Sequence, residues 1–373
     1  MRIMISAGGT GGGVYPALAV ADALRRLFPD DLSLTFVGAR GDMARDLVAR
    51  SEVHFDGYHE VFAGPLHGLP RRRQVLSAAK IALGVAQSLV LAARLRPQVL
   101  FLTGGWVGVP MALACWLLRR PIVIYVPDIE PGLMLKTMGR YFARAIAATV
   151  ADTAQFYPPT KRVIETGYPL RRELLEVSRE DALQALELDP ARKTLLVFGG
   201  SKGSRSINAA MFGAASALLR DGLQILHISG RRDWDFVREQ HAQLSEAERA
   251  HYRIFDFLPN IGQAFAAADL VISRAGAATL AEYPLFGLPA ILVPYPYAWR
   301  YQRVNADWLA ERGAAIRLDD ERLQDELLPT VQSVLNDEAR LAEMRQAARA
   351  LRRTDGAENI ARLLAQVAGY STH

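Results

Sequence analysis

The segment Arg2-Ile-Met-Ile-Ser-Ala-Gly-Gly-Thr-Gly-Gly-Gly-Val-Tyr-Pro16 begins as a short apolar run and passes directly into a glycine-rich loop. Glycines allow a backbone to approach a ligand closely, and the free N–H groups at the start of a helix attract anions. Proline suits the first turn of a helix, so Pro16 marks the helix that follows. The segment therefore predicts a strand, an anion-binding loop and a helix in succession. A tight turn without a ligand is the alternative.

Apolar runs and amphipathic stretches alternate along the whole chain, as in proteins built on parallel sheets. The first half predicts strands at residues 2–6, 33–37, 98–102, 122–126 and 145–150, and helices at 16–28, 42–50, 71–95, 107–118 and 132–142. The second half predicts strands at 193–198, 223–229, 252–256, 269–272, 289–293 and 314–317, again separated by helices. We therefore predict an α/β protein with two doubly wound domains that face each other across a cleft, with ligands at the carboxyl ends of the strands.

The domain boundaries follow from the point at which this pattern restarts. Gly167-Tyr-Pro-Leu-Arg-Arg172 is a plausible hinge between the halves. We expect an N-terminal domain over residues 1–166, a C-terminal domain over 167–350, and a last helix over 351–373 that returns to the N-terminal domain.

Composition limits the class of protein and of partner. The chain has 373 residues, half of them hydrophobic, which is more than one ordinary core accommodates. Its net charge of +5 suits anionic partners such as nucleotides, phospholipids or nucleic acid. Cys115 stands alone, which excludes a disulfide framework and favours the cytosol. The first residues lack the longer apolar stretch typical of a signal peptide, and the longest apolar stretch, residues 81–95, is interrupted by Gln87 and Arg94.

A second glycine-rich loop, Phe198-Gly-Gly-Ser-Lys-Gly-Ser-Arg-Ser-Ile-Asn208, follows the first strand of the second half. It lacks the ending of an ATP-binding P-loop. Ser201, Gly203 and Ser204 could offer backbone and hydroxyl donors to a diphosphate, and a plain helix cap is the alternative.

The most specific motif is Ser273-Arg-Ala-Gly-Ala-Ala-Thr-Leu-Ala-Glu282, which also follows a strand. Gly276 begins a helix whose N–H groups can hold a phosphate, and a carboxylate at Glu282 can accept from both hydroxyls of a ribose. Gln302 and Asn305 are three residues apart, so they share a helix face and can bind sugar hydroxyls. The alternative for Glu282 is a solvated surface carboxylate.

Arg71, Arg72 and Arg73 lead into an apolar helix. Arginines beside an apolar face suit anionic lipid headgroups. A core helix with a solvated basic end is the other interpretation, and the pattern alone does not choose between them.

At these motifs the sequence resembles the MurG branch of the GT-B glycosyltransferases, over nearly the whole chain from Gly8 to about Gly313. The resemblance includes Gly104-Gly-Trp-Val-Gly-Val-Pro110, Gly167-Tyr-Pro-Leu-Arg171, Gly199-Gly-Ser-Lys-Gly203 and His227-Ile-Ser-Gly230. It implies that Glu282 binds the ribose, that Ser201, Arg274, Gly276 and Ala277 surround the nucleotide and diphosphate, and that Gln302 and Asn305 contact the donor sugar. Together the predicted donor-binding residues are Thr10, Gly11, Gly12, Arg171, Ser201, Gly203, Arg274, Gly276, Ala277, Glu282, Gln302 and Asn305.

The chain departs from the family pattern mainly in its first half. The family usually has histidine at Gly13, His-Glu-Gln-Asn at Tyr125-Val-Pro-Asp128, Asn at Tyr168, and His or Gln at Tyr301. Because Gly13 has no side chain, another group must accept the proton of the acceptor hydroxyl. We predict Asp128 first and Glu130 second as this base. The alternative is that Asp128 caps the helix after Pro131.

The resemblance implies an inverting transfer of N-acetylglucosamine from UDP-N-acetylglucosamine to a lipid-linked acceptor, in particular the muramoyl-pentapeptide lipid of peptidoglycan synthesis. The partners expected are this donor, the acceptor and an anionic membrane surface, with no nucleic acid, metal or organic cofactor. The N-terminal domain would face the acceptor and the cytoplasmic side of the membrane, and the C-terminal domain would bind the donor. The alternatives are a UDP-N-acetylglucosamine epimerase of the same architecture and a non-catalytic UDP-sugar-binding protein.

Overall fold

The computed structural model describes residues 1–8, 11–64, 71–200, 203–297 and 301–370, without the side chains of residues 71–73 and 75–76. The chain divides into two compact units. Unit 1 comprises Met1–Arg171 and Thr354–His373, and unit 2 comprises Arg172–Arg353. The first change of unit falls within the predicted hinge segment.

Unit 1 is built on a parallel sheet of seven strands among the residues that the structure describes, in the order β3-β2-β1-β4-β5-β6-β7. The strands are β1 (Arg2–Ser6), β2 (Ser33–Ala39), β3 (Gly57–Val61), β4 (Val99–Leu102), β5 (Ile122–Val126), β6 (Ala145–Ala148) and β7 (Val163–Glu165). The central strands β4, β5 and β6 are buried at every position, because helices cover the sheet. The helices are α1 (Gly11–Leu27), α2 (Ala44–Arg50), α3 (Arg71–Leu95), α4 (Gly108–Leu117) and α5 (Leu133–Tyr141).

Unit 2 repeats this plan with six described strands in the order β10-β9-β8-β11-β12-β13. The strands are β8 (Thr194–Phe198), β9 (Gln224–Ile228), β10 (Tyr252–Phe255), β11 (Leu270–Ser273), β12 (Ala290–Leu292) and β13 (Ala315–Arg317). Its helices are α6 (Arg179–Ala185), α7 (Arg205–Arg220), α8 (Trp234–Ala242), α9 (Glu246–Arg249), α10 (Ile261–Ala267), α11 (Thr279–Phe286), α12 (Tyr301–Glu311), α13 (Leu323–Leu335) and α14 (Glu338–Ala350). A hydrophobic core of unit 2 lies where α7 and α13 pack against the sheet, around Ile207, Met211, Leu327 and Val331.

The last helix, α15 (Gly356–Val367), belongs to unit 1 and packs against α1. Glu358 forms an ion pair with Arg26 at 2.7 Å, and the Asn359 side chain donates to the Thr166 carbonyl at 3.1 Å. Gly356 lies directly on the Tyr168 backbone, because a β-carbon there would overlap the Tyr168 carbonyl.

The structure confirms the prediction of two doubly wound α/β domains and corrects two details. Helix α1 begins at Gly11, not at Pro16, so the proline lies inside the helix. A proline is tolerated there because it removes a single hydrogen bond close to the helix start. Strands β3 and β7 are absent from the sequence-based prediction. Both are edge strands that are only partly buried, so neither carries a continuous apolar run.

Candidate functional site

The strand order of unit 2 places two loops side by side. Chain connections leave β8 and β11 in opposite directions across the sheet, so the carboxyl ends of these neighbouring strands form a crevice. The loop after β8 contains Gly203, and the loop after β11 contains Arg274, Gly276 and Ala277. The topology therefore brings together the predicted diphosphate-binding residues that the structure describes. Ser201 lies outside the described residues.

The loop after β8 requires glycine at defined positions. Gly200 and Gly203 have φ angles of 87° and 75°, which favour glycine, and the Gly203 N–H donates to the Gly200 carbonyl at 2.9 Å. A β-carbon on Gly203 would overlap the Ser229 carbonyl oxygen. The loop thus rests directly on the turn after β9.

The loop after β11 presents backbone donors to an open space. Helix α11 begins at Thr279, so the prediction that Gly276 begins the helix is wrong, and Gly276 and Ala277 lie in the loop before it. No acceptor within the described part of the chain takes the N–H groups of Gly276 and Ala277, whereas the Gly276 carbonyl accepts from the Thr279 hydroxyl at 2.7 Å. A β-carbon on Gly276 would meet no atom within 4 Å. Glu282 lies four residues into α11 and is half-buried. This arrangement can bind an anion at the amides and a hydroxylated ring near the carboxylate.

Arg274 has several protein partners. Its guanidinium pairs with Asp320 at 2.5 Å, donates to the Ser206 hydroxyl at 2.8 Å, and reaches the Val293 and Pro294 carbonyls at 3.2 and 3.3 Å. These bonds fix the end of β11 to α7 and to the loop after β12. Asp320 is a site residue that the sequence does not reveal, because Asp319-Asp320-Glu321 is a pattern typical of any helix start.

Gln302 and Asn305 lie on one face of α12, as their spacing predicts, and both bind the backbone around the crevice. The side chain of Asn305 is fully buried and donates to the Ala275 carbonyl at 3.1 Å. The side-chain oxygen of Gln302 accepts from the Tyr295 N–H at 2.9 Å. In this structure both side chains support the loops that flank the crevice.

Unit 1 has its own switch point between β1 and β4, and glycines dominate it as well. Gly11 and Gly12 are the first residues of α1, and Thr10 lies outside the described residues. A β-carbon on Gly105 would approach the Gly8 carbonyl to 2.5 Å, so the loops after β1 and β4 pack on each other. A β-carbon on Gly13 would lie 3.4 Å from the Gly8 carbonyl oxygen, an ordinary van der Waals contact, so this position accommodates a β-carbon.

Arg171 lies beside the start of α1. Its guanidinium stacks over the Tyr15 ring at 4.7 Å. This contact places the predicted donor-binding arginine beside the glycine loop of unit 1.

Asp128 and Glu130 occupy the loop between β5 and α5, at the carboxyl end of the sheet, and both are half-buried. The N-cap of α5 is Gly132, so the alternative that Asp128 caps this helix is wrong. Tyr125 is fully buried, its hydroxyl binds that of Thr149 at 2.8 Å, and burial raises its pKa well above the usual value. Tyr125 therefore stays neutral at physiological pH and is not a candidate base.

Models of known families match both units. The model described as the glycosyltransferase family 28 N-terminal domain matches residues 3–147, and that of the family 28 C-terminal domain matches residues 194–360. Two relatives are named UDP-N-acetylglucosamine–N-acetylmuramyl-(pentapeptide) pyrophosphoryl-undecaprenol N-acetylglucosamine transferase. The relative from Desulforudis audaxviator is 37% identical and covers 100% of both chains. The relative from Roseiflexus sp. is 35% identical, over 98% of this chain and 94% of its own.

Solved structures share the architecture. The crystal structure of MurG from Acinetobacter baumannii has a TM-score of 0.74 at 24% identity, over 98% of this chain and 99% of its own. A UDP-GlcNAc 2-epimerase from Neisseria meningitidis, bound to UDP-GlcNAc, has a TM-score of 0.69 at 11% identity, over 98% of this chain and 100% of its own. At these identities the likeness concerns the fold alone, and it confirms the predicted GT-B architecture.

Proposed function

The chain belongs to glycosyltransferase family 28, and from this premise we propose that it transfers N-acetylglucosamine from UDP-N-acetylglucosamine to a lipid-linked muramoyl-pentapeptide. The relatives that support the proposal carry the name of this reaction and match the chain from end to end. The structural observation that carries it is the crevice of unit 2, where no acceptor in the described part of the chain takes the N–H groups of Gly276 and Ala277, and where Glu282 follows in the first turn of α11.

The crevice suits the chemistry of the donor. When an acceptor hydroxyl attacks the anomeric carbon, the bond to the diphosphate breaks and UDP leaves with added negative charge. Fixed amides at Gly276 and Ala277 stabilise this charge, and Glu282 accepts hydrogen bonds from the ribose. Arg274 contributes its charge from within its ion pair with Asp320 and holds the loop in place. The attack comes from the face opposite the diphosphate and inverts the anomeric centre.

The proton of the acceptor hydroxyl requires a base from unit 1. We assign this role to Asp128, with Glu130 as the second candidate, because both follow β5 at the carboxyl end of its sheet. Asp128→Asn should lower kcat about 100-fold or more while the affinity for the donor stays near that of the parent. Near-parental kcat in both Asp128→Asn and Glu130→Gln would remove these residues from the mechanism.

Release of UDP measured with and without the lipid-linked acceptor tests the proposed function. A transferase releases UDP at an acceptor-dependent rate, whereas an epimerase forms a new UDP-sugar without net release and a binding protein does neither. Glu282→Ala should weaken UDP binding by about 1–3 kcal/mol, the scale of hydrogen bonds to a charged group. Glu343→Ala, on an exposed position of α14, is the matched control and should bind UDP like the parent. Equal UDP affinity in the folded Glu282→Ala variant would contradict the ribose assignment.

We also propose that unit 1 binds the cytoplasmic face of an anionic membrane, where a lipid-linked acceptor resides. Trp116, Leu117 and Tyr141 are more than half exposed, and Phe142 joins the two rings by edge contacts of 5.4 and 6.5 Å. The exposed Arg140 lies over the Tyr141 ring at 5.7 Å. Exposed aromatic rings beside arginines are typical of the boundary between lipid and water.

Helix α3 also supports binding of unit 1 to a membrane. From Ser77 to Leu95 it is long and apolar enough to cross a membrane, the one such helix among those described, and 22% of this window is buried. Gly84 lies against the Phe62 carbonyl, and α3 packs along α4, so one face of the helix belongs to unit 1. The exposed Leu83 and Val90 remain for contact with lipid.

Sedimentation with vesicles tests the membrane proposal. Trp116→Ser should reduce sedimentation with vesicles that contain phosphatidylglycerol, and Arg71, Arg72 and Arg73 all changed to Glu should abolish it at low salt, at about 1 kcal/mol for each arginine. Tyr297→Ser removes an exposed aromatic ring from unit 2 and is the matched control. Sedimentation equal to that of the parent in both unit 1 variants would reject the proposal.

A further inference from the structure

A hydrogen-bond network of buried polar side chains runs from β10 to the turn after β9. His227 on β9 is fully buried. Its Nδ1 lies 2.9 Å from the Tyr252 hydroxyl, and its Nε2 lies 3.0 Å from Oδ1 of Asn208, which is fully buried on α7. The Asn208 Nδ2 donates to the Ser229 carbonyl at 3.1 Å and to Asp233 Oδ2 at 3.2 Å.

The two acceptors at the end of this network determine which atom donates in each of its hydrogen bonds. The Ser229 carbonyl and the Asp233 carboxylate only accept, so the atom of Asn208 that faces them is the amide nitrogen. Oδ1 of Asn208 must then accept from a protonated Nε2 of His227, and the Nδ1 accepts from the Tyr252 hydroxyl. Burial lowers the pKa of His227 to about 3, so the imidazole is neutral and holds this single tautomer.

The Ser229 end of this hydrogen-bond network supports the glycine-rich loop after β8. The Ser229 carbonyl that Asn208 binds is the group against which Gly203 is packed so closely that a β-carbon would not fit. The Ser229 N–H and hydroxyl also bind the Phe255 carbonyl, so loss of the Asn208 bond would loosen the turn without detaching it and would shift the surface on which Gly203 rests.

We propose that His227 is a positioning residue for the diphosphate of the donor. It acts through Asn208 and the Ser229 carbonyl to hold the Gly203 backbone, in the loop after β8, in the conformation that binds the anion. This role rests on the proposed function, because it requires that unit 2 bind a nucleoside diphosphate. The ribose is assigned to Glu282, which is not part of the network, so we expect binding of the nucleoside to be independent of His227.

Two amide variants of His227 separate this role from ordinary structural support. In His227→Gln the amide nitrogen reaches the place of Nε2 and can still donate to Asn208. In His227→Asn the amide is one methylene shorter and reaches only the place of Nδ1, beside Tyr252. The inhibition constants of UDP and uridine are measured for both, together with the melting temperature and the KM for UDP-N-acetylglucosamine.

We expect His227→Asn to raise the inhibition constant of UDP about tenfold, the scale of one lost hydrogen bond to a charged group, and to leave that of uridine unchanged. His227→Gln should restore UDP binding to within about twofold of the parent. Equal changes for UDP and uridine, or none for UDP, would overturn the proposal. If His227→Asn does not fold, Asn208→Asp gives the same comparison, because its carboxylate accepts from His227 and cannot donate to Ser229. A parent protein that binds no UDP would instead refute the proposed function.

Discussion

Replacement of Gly276 by alanine should weaken UDP binding and leave the stability of the fold nearly unchanged. The added methyl group would meet no protein atom within 4 Å, and the φ angle of Gly276 lies outside the left-handed region. The change should therefore leave the free energy of unfolding within about 1 kcal/mol of the parent, with a small gain from the less flexible unfolded chain. We expect a phosphate held by the Gly276 and Ala277 amides to lie in the open space that the methyl group would enter.

The expected loss of affinity follows from the bonds that the methyl group displaces. Loss of one hydrogen bond to a charged phosphate costs about 1.5–3 kcal/mol, so the dissociation constant of UDP should rise by about 10–150-fold. Titration calorimetry measures this affinity, and urea denaturation measures stability. Gly132→Ala is the matched control, because its β-carbon also meets nothing within 4 Å and its φ is −58°.

Two results would refute the reasoning. Parental UDP affinity in Gly276→Ala would mean that no phosphate lies beside this amide. A loss of several kcal/mol in stability would mean that the space around Gly276 is filled in the free protein.

Three further outcomes are expected. Gly203→Ala should lose at least 2 kcal/mol more stability in urea than Gly200→Ala, since both residues have positive φ but only Gly203 abuts the Ser229 carbonyl; equal losses would contradict this contact. The pKa of His227 is about 6.5 in the unfolded chain and about 3 in the folded one, so only the unfolded chain takes up the proton between these values. The free energy of unfolding therefore decreases as the pH is lowered from 6.5 to 3. When the pH is lowered from 7.5 to 4.5, His227→Gln should lose about 2–3 kcal/mol less of this free energy than the parent. Burial raises the pKa of Cys115 to about 12, so iodoacetamide at pH 8 should modify it only after denaturation; rapid modification of the native protein would show that this side chain is accessible.

The sequence predicts most of the fold because most strands are buried on both faces. Strands β1 and β5 agree with their apolar runs to the residue. The edge strand β3 carries Tyr58, His59 and Glu60, so its sequence resembles a polar loop, and only its pairing with β2 identifies it. An apolar pattern in the sequence reflects burial of the residues. An edge strand buries too few residues to produce such a pattern.

The site is predictable where backbone conformation decides and less so where distant side chains meet. Gly203 and Gly276 stand out because a loop after a buried strand needs glycine to approach an anion. The ion pair between Arg274 and Asp320 joins residues 46 positions apart, and no local pattern connects them. The network of His227 is equally hidden, because a histidine within an apolar strand gives no indication of its partners.

Unit 1 is discontinuous in the sequence, since helix α15 completes it after the whole of unit 2. A ribosome therefore finishes unit 2 while α1 still lacks the helix that covers it. The exposed face of α1 must wait for α15, which follows all of unit 2 in the sequence, so unit 1 is the later of the two to mature and the more dependent on protection from aggregation. Removal of Thr354–His373 would for the same reason damage unit 1 and leave unit 2 intact.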